Sequence, residues 1–314
     1  MRITPTRLAL RAFAGFAAVL VAATPAIAGA VTYKGTLGAA PIVLELSQPA
    51  ESANAKVVGR YFYQAKGVDI PLEAGPSLPG KIILAEEVPL ACPTGANDDA
   101  CMPMDTSPPQ TGPVWSLSAS ADGATLTGTW LSGDKSQPLA LTRFATRPLQ
   151  TNFPGMLADY AGVAAGLAPL TAQTAPYDFQ RMQVKLTPGP LTRWGRVAFH
   201  YETDPRTGFH FPHLDAAGST DLAAPNATLQ QRHWRLNMDA FSCASMIYKA
   251  FRANDISSDA ARDLAGFPQM KVEVIYLSPA RMRWTEGLTF SCGGTPKSEY
   301  AVHELDLRTG RLLN

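Results

Sequence analysis

Residues 115–130 have the sequence Trp-Ser-Leu-Ser-Ala-Ser-Ala-Asp-Gly-Ala-Thr-Leu-Thr-Gly-Thr-Trp, in which two short runs of β type stand on either side of a turn. The runs cover residues 115–118 and 125–130, and Ala121-Asp122-Gly123 lies between them. Asp and Gly favour tight turns because the Asp side chain bonds the nearby backbone and Gly tolerates a positive φ. The stretch therefore predicts a β-hairpin in which Trp115 and Trp130 lie on paired strands.

The rest of the N-terminal half repeats this pattern of short strands and turns. Further β-type runs cover residues 31–37, 42–46, 57–63, 81–84 and 139–142. Short strands with a turn about every 8–12 residues are typical of an antiparallel β barrel or sandwich. Gly59 and Gly128 lie inside these runs, which indicates a bulge or tight curvature at each.

The C-terminal half mixes strands with one long helix. Asn226 is a candidate helix cap, and apolar residues follow it at helical spacing. These residues are Trp234, Met238, Phe241, Ala244, Tyr248 and Phe251. Strand patterns cover residues 194–201, 270–277, 282–290 and 300–307. We therefore expect a C-terminal antiparallel sheet with a packed helix, so that the fold is mainly β with an α+β second half.

A segment rich in Pro and Gly separates the two halves. It covers residues 148–180 and is typical of a linker, and a chain of 314 residues favours two domains. We expect an antiparallel β domain over 29–147, a linker-like segment over 148–180 and an α+β domain over 181–314.

Residues 1–28 have the pattern of a secretory signal peptide. Three arginines precede an apolar run over residues 12–23, and Ala26-Ile27-Ala28 is a typical cleavage site. We expect a mature chain that begins at Gly29 and is periplasmic or secreted. The apolar run is too short for a membrane anchor and no later run reaches 18 apolar residues, so we expect no transmembrane segment in the mature chain.

The charge of the chain argues against a polyanionic partner. The formal net charge is +1. Without the three arginines of the signal peptide, 24 basic residues face 26 acidic ones, a net charge of −2. This balance argues against a nucleic-acid binder and against a polybasic membrane-surface protein.

Four cysteines are present, which is an even number, as expected for an exported chain with disulfides. Three pairings are open, and we favour Cys92–Cys101 and Cys243–Cys292, one within each half. A metal site is a poor interpretation, because no two cysteines have the spacing of about two to four residues that zinc sites use.

The sequence contains no recognised catalytic, dinucleotide-binding or phosphate-binding motif. Its densest group of reactive side chains is His200, Glu202, Asp204, His210, His213 and Asp215. The histidines His200, His210 and His213 are weak candidates for metal ligands, but their spacing matches no known ligand pattern. We therefore predict no metal, no cofactor and no catalytic residue, and we favour a protein that is not an enzyme.

Four aromatic residues are the candidate binding residues. Tyr61 and Tyr63 share one face of a predicted strand, and Trp115 and Trp130 lie on the predicted hairpin. Aromatic surfaces bind sugars and protein loops well. The alternative is that these side chains fill the core of the barrel.

Three C-terminal motifs carry a family resemblance. They are Tyr276-Leu-Ser-Pro279, Phe290-Ser-Cys-Gly-Gly-Thr-Pro296 and Asp306-Leu-Arg-Thr-Gly310. With them, residues 190–314 resemble a short copy of an extracytoplasmic domain of unknown function. That domain occurs in lysozyme-sensing anti-sigma factors and beside some polysaccharide deacetylases. The motif residues Gly293, Gly294, Asp306, Arg308 and Gly310 are expected to have a structural role in turns.

Together these features favour an exported, non-enzymatic protein that binds a cell-envelope partner. The partner is either a lysozyme-like protein or a glycan such as peptidoglycan. An envelope polysaccharide hydrolase or deacetylase is the competing hypothesis, and a structural module without separable activity is the third.

The Cys243–Cys292 pairing can be tested directly. Replacing either cysteine by Ser should lower the free energy of unfolding by about 2–5 kcal/mol, because the crosslink no longer restricts the unfolded chain. The Cys92–Cys101 bridge should remain intact. Peptide mapping of the non-reduced protein decides the matter: a linked peptide that joins Cys92 or Cys101 to a C-terminal cysteine would contradict the pairing.

Overall fold

The computed structural model describes residues 29–48, 57–76, 78–87, 111–148, 169–251, 269–290 and 297–313. The predicted signal peptide lies outside the described residues, as do Cys92, Cys101 and Cys292. Among the described residues no cysteine is free. Cys243 is buried on a helix, and both predicted disulfide pairings stay predictions. Gly293 and Gly294 also lie outside the described residues.

The N-terminal half is a closed antiparallel barrel of eight strands. This confirms the prediction of a barrel or sandwich, in its barrel form. The strands are β1 (Gly29–Leu37), β2 (Ala40–Gln48), β3 (Gly59–Tyr63), β4 (Ile70–Ala74), β5 (Ile82–Glu87), β6 (Thr111–Ala119), β7 (Thr125–Ser132) and β8 (Lys135–Pro148). Each strand pairs with its neighbour in sequence, and β1 pairs with β8 to close the ring.

The predicted hairpin joins β6 to β7. Trp115 is the direct partner of Trp130 in this pair. At the turn, Gly123 has a φ of +63° and the Asp122 Oδ1 accepts a hydrogen bond from the amide of Ala124 at 2.9 Å. The turn residues therefore act as their side chains predict.

Gly128 is explained by close backbone contact rather than by a bulge. A Cβ at this position would stand 2.0 Å from the carbonyl oxygen of Ser116 on the neighbouring strand. Bulges in the barrel occur elsewhere, between Thr32 and Tyr33 and between Ala85 and Glu87. Only glycine permits this approach, which tight curvature of a small barrel requires.

The interior of the barrel is packed with alternate side chains from all eight strands. These include Val31, Tyr33, Ile42, Leu44, Leu46, Tyr61, Leu72, Leu84, Trp115, Leu117, Leu126, Leu139 and Leu141. Because side chains on a strand alternate between two faces, the residues between them point outward.

The described residues of the second half form two four-stranded antiparallel sheets and two helices. Its elements are α1 (Pro176–Met182), β9 (Thr187–Pro188), β10 (Thr192–Trp194), β11 (Val197–Thr203), β12 (His210–Ala217), α2 (Ala223–Phe251), β13 (Gln269–Leu277), β14 (Arg281–Phe290), β15 (Lys297–Asp306) and β16 (Arg311–Leu312). The expected antiparallel sheet with a packed helix is confirmed, with a second sheet beside it. Among the described residues, no helix is long and apolar enough to span a membrane.

Helix α2 packs against both sheets. Leu229, Leu236 and Ala240 on the helix share one core with residues of β11, β12, β13, β14 and β15, including Phe211 and Trp284. The helix begins before Asn226, and the predicted cap is wrong. Asp221 accepts the amide of Ala223 at 3.0 Å instead, and Asn226 bonds the backbone of Leu214 on β12.

Helix α1 begins in the segment predicted as a linker and ends two residues beyond it, and it covers part of the outer wall of the barrel. Tyr177 packs on the outward-facing Val43 and Phe62, with the Phe62 and Tyr177 ring centroids 5.0 Å apart. A further apolar cluster joins α1 to α2 and includes Leu170, Met182, Met238 and Phe241. The described part of this segment is therefore packed structure.

Buried ion pairs reinforce the covered wall. The Glu45 carboxylate accepts hydrogen bonds from Arg147 Nε at 2.8 Å and from Arg60 Nε at 2.9 Å. Arg60 also bonds Asp178 of α1 at 3.1 Å. Glu45 is fully buried and the other three side chains nearly so. An ion pair held out of water needs several partners to offset its desolvation, and each of these groups has at least one of opposite charge.

The loop between β3 and β4 adds a second link in this network. Asp69 accepts a hydrogen bond from the Tyr177 hydroxyl at 2.7 Å and pairs with both Arg60 and Arg181. Burial raises the pKa of Asp69, but the neighbouring guanidinium groups of Arg181 and Arg60 outweigh it and hold the pKa below its usual value. The Asp69 carbonyl accepts the Ser245 hydroxyl of α2 at 2.9 Å, so the loop binds both helices.

The turn over Asp306–Gly310 fixes the C-terminal sheet to the start of α2. Gly310 has a φ of +69°, and Asp306 Oδ1 accepts the amide of Arg308 at 2.8 Å. The Gly310 carbonyl accepts the Thr228 hydroxyl at 2.6 Å, and a Cβ on Gly310 would lie 2.6 Å from the carbonyl carbon of Ala224.

Replacing Gly310 by Ala should destabilise the protein through both backbone strain and this contact. Gly133→Ala is the matched control, since Gly133 has a φ of +56° but a Cβ added there would have no heavy atom within 4 Å. Strain alone costs about 1–3 kcal/mol. In urea unfolding, Gly310→Ala should therefore lower the free energy of unfolding by more than Gly133→Ala does. Equal losses for the two variants would contradict the proposed contact with α2.

Candidate functional site

A buried carboxylate inside one end of the barrel is the candidate site. Glu86 lies near the end of β5, two residues after the core residue Leu84, and it pairs with the core residue Leu72 of β4. Because side chains alternate along a strand, Glu86 points into the barrel on the same face as Leu84. Glu86 is only 3% exposed. The same end of the barrel carries the turns that join β1 to β2, β3 to β4 and β7 to β8.

Three aromatic side chains donate to one oxygen of Glu86. Its Oε1 accepts hydrogen bonds from Trp130 Nε1 at 2.6 Å, from the Tyr61 hydroxyl at 2.8 Å and from Trp115 Nε1 at 3.1 Å. Burial and the nearby Glu86 carboxylate raise the pKa of Tyr61 far above its ordinary value, so its hydroxyl stays protonated and remains a donor. These neutral donors satisfy the hydrogen bonding of Oε1 inside the barrel.

The second oxygen of Glu86 is differently placed. Oε2 accepts no hydrogen bond from the described residues. An acceptor that has no bond keeps its capacity to accept one, so Oε2 is available to a ligand.

The four predicted binding residues come together around this carboxylate. Tyr61 and Trp115 are fully buried, whereas Tyr63 and Trp130 are half-buried. The Tyr61 ring centroid lies 4.7 Å from that of Trp115 and 5.5 Å from that of Tyr63. Two of the aromatics therefore fill the core, and the other two are accessible beside Glu86.

Sequence reasoning missed Glu86 itself. Adjacent carboxylates such as Glu86 and Glu87 point to opposite faces of a regular strand, which argues against a joint role. The signal that could have found the residue is alternation along a longer strand, since Glu86 follows Ile82 and Leu84 at spacings of four and two residues and so shares their inner face. Its three indole and phenol partners come from three other strands, and no spacing along the chain relates them.

The reactive side chains of β11 and β12 form a second, more exposed group. His200 Nδ1 lies 2.8 Å from Asp215 Oδ2, and its Nε2 lies 3.9 Å from Glu202 Oε1. His200 and His213 are cross-strand partners with ring centroids 5.2 Å apart. His210 instead packs against Tyr201. The structure thus brings together two of the three histidines singled out from the sequence.

The geometry of this histidine pair does not favour a metal. Asn226 Nδ2, which donates to the Leu214 carbonyl, also lies 3.3 Å from His213 Nε2. A donor at Nε2 places the His213 proton on Nδ1, the nitrogen nearest to Glu202. Among the described residues, no three His, Cys, Asp or Glu side chains are arranged to hold a metal ion.

A second buried carboxylate lies between α2 and the C-terminal sheet. Glu286 pairs with Arg232 through contacts of 2.5–3.1 Å and accepts a hydrogen bond from Trp284 Nε1 at 2.9 Å. His303 Nε2 lies 3.3 Å from its Oε2. Burial raises the pKa of Glu286, but His303 and Arg232 outweigh it and lower the pKa to about 2. This group ties the helix to the sheet.

Comparison of the chain with protein-family models, with curated proteins and with solved structures finds no match. The family resemblance of the C-terminal half therefore stays a prediction, and the candidate site is argued from its own geometry.

The low pKa of Glu286 predicts an acid-sensitive contribution to stability. A folded-state pKa of about 2, against 4.5 as the ordinary value, stabilises the folded protein above pH 4.5, and the contribution is lost as the pH falls toward 2. The full effect is roughly 3 kcal/mol. In urea unfolding, Glu286→Gln should have a lower free energy of unfolding than the wild type at pH 7, and the difference should be smaller at pH 3.

The exposed Glu299 on β15 supplies the control. Glu299→Gln should change stability little at either pH. A deficit of Glu286→Gln that is the same at pH 7 and pH 3 would show that ionisation of Glu286 does not stabilise the fold.

Proposed function

We propose that the protein is an exported, non-enzymatic binding protein for a cell-envelope glycan. The observation that carries the proposal is the Glu86 carboxylate, with one available oxygen, beside the half-buried Tyr63 and Trp130. Sugars are bound by aromatic side chains that pack on their C–H faces and by carboxylates that accept their hydroxyl hydrogens. The barrel end offers both kinds of group within one small region.

The predicted signal peptide is consistent with binding in the cell envelope. Export would bring the barrel into contact with envelope polysaccharide, for which peptidoglycan is the first candidate. A lysozyme-like protein is the alternative partner within the binding class, and the resemblance of the C-terminal half is what supports it.

One observation favours the competing class, a hydrolase or deacetylase of envelope polysaccharide. Asp215 is placed to orient His200 through Nδ1, as the carboxylate does in sites where a histidine acts as a base. Glu202 is close to the other ring nitrogen. Among the described residues no three His, Cys, Asp or Glu side chains are arranged to hold a metal ion beside the pair, and we favour binding.

Sedimentation with purified peptidoglycan sacculi tests the proposal. The mature protein, residues 29–314, should sediment with sacculi, and Trp130→Ala should weaken binding about tenfold or more, since a central aromatic contact contributes roughly 2 kcal/mol. Trp194→Ala is the matched control, because Trp194 is 44% exposed on β10 and lies outside the barrel.

Three results would overturn the proposal. The first is the absence of binding to sacculi, and the second is an equal loss of binding in Trp130→Ala and Trp194→Ala. The third is release of soluble sugar fragments or acetate from the sacculi that disappears in His200→Ala, which would support the enzyme instead.

A further inference from the structure

The structure describes three buried glutamates, and they differ in one respect. Glu45, Glu86 and Glu286 are each less than 5% exposed. Glu45 pairs with two arginines, and Glu286 pairs with Arg232. Glu86 makes no ion pair with any described residue. It is thus the only one of the three whose charge is not balanced by a neighbouring cation.

The donors around Glu86 supply hydrogen bonds to Oε1 but no positive charge to balance the carboxylate. A buried carboxylate is costly unless it is both hydrogen-bonded and paired with a positive group. Two indole N–H groups and one hydroxyl are neutral, and all three bond Oε1. Oε2 has no bond to the described residues, so a positive group would form its most favourable interaction with Glu86 there.

The neighbouring aromatic rings favour the same kind of ligand. A cation is attracted to the faces of Trp and Tyr rings, and the attraction grows where water is excluded. Trp130 and Tyr63 are the half-buried rings at this end of the barrel. A carboxylate beside aromatic rings rejects anionic ligands and prefers a cation to a neutral molecule of the same shape.

We infer that the ligand itself supplies the missing cation, so that the site selects an amino sugar whose ammonium group binds Glu86 Oε2. This inference rests on the proposed function, because it names the class of glycan that the barrel end takes. An ammonium group has three donors for Oε2 and its surroundings, and the hydroxyl-bearing ring retains the aromatic contacts.

A matched pair of sugars tests the inference. The β-1,4-linked trisaccharides of glucosamine and of glucose differ only by an ammonium in place of a hydroxyl on each ring. Binding to the mature protein is measured by titration calorimetry at pH 6.5, at which the amine is largely protonated. The glucosamine trisaccharide should bind about tenfold more tightly or better, as expected for a charge-assisted hydrogen bond in place of a neutral one.

The charge of Glu86 is then removed. Glu86→Gln keeps an oxygen acceptor for the three donors, and the variant should bind the two sugars with nearly equal affinity. Glu73→Gln is the matched control on β4: it also removes one carboxylate, but Glu73 is exposed, and the preference should persist. A preference that survives in Glu86→Gln, or that is lost equally in Glu73→Gln, would overturn the inference.

The wild-type protein alone supplies a second measurement, which does not depend on folding of the variant. The trisaccharide of N-acetylglucosamine has neutral amides, and it should bind no more tightly than the glucose trisaccharide. Equal affinity for all three sugars, with sedimentation on sacculi intact, would overturn the amino-sugar inference and leave glycan binding standing. If none of the sugars binds and the protein does not sediment with sacculi, both proposals fail.

Discussion

Pairing of the first strand with the eighth is the constraint on which the rest of the structure depends. Gly29 lies opposite Pro148 and Leu37 opposite Leu139, so residues more than a hundred positions apart must meet before the barrel closes. Closure leaves no open edge and seals the interior from water. It also brings Arg147 to Glu45, and so completes the charged surface on which α1 lies. Both the apolar core and the attachment of the second half follow from this one pairing.

The three buried glutamates are stabilised against loss of hydration in different ways. Removing a carboxylate from water is unfavourable by several kcal/mol in practice. At the barrel wall, guanidinium groups from β3 and β8 offset that cost for Glu45. At the helix–sheet contact, Arg232 does the same for Glu286. Inside the barrel only neutral donors surround Glu86 among the described residues, and the asymmetry between its two oxygens is what distinguishes a binding site from a structural ion pair.

Much of the fold could be predicted from the sequence because its signals are local. The β6–β7 hairpin follows from an Asp-Gly turn between two short β runs, and α2 from apolar residues at helical spacing. Elements with weak or contrary local signals were missed. β4 has only five residues and contains Pro71, and β12 contains Pro212 and two histidines, so neither has the run of β-branched and aromatic residues that marks a strand in a sequence. Helix α1 is only seven residues long and depends on contacts with the barrel wall.

The candidate site was half predictable for a related reason. Aromatic residues on strands stand out in a sequence, and Tyr61, Tyr63, Trp115 and Trp130 are indeed neighbours in the structure. The carboxylate that unites them was missed because the β run predicted over residues 81–84 stops before Glu86, whereas β5 continues to Glu87 and keeps Glu86 on the inner face with Leu84. The hydrogen bonds to Glu86 join residues of different strands, so they form only in the closed barrel and cannot be predicted from a local sequence pattern.

The balanced charges of the barrel wall limit how sequences related to this one can diverge. Losing Glu45 alone would leave Arg60 and Arg147 without a carboxylate they share, and a broken buried pair typically costs about 3–5 kcal/mol. An entirely apolar replacement of the same volume can be as stable as the ion pairs, yet each single-residue step toward it leaves buried charges with fewer opposite charges than they have now. The network is thus maintained less by its own stability than by the instability of its intermediates, and substitutions within it should occur as linked sets.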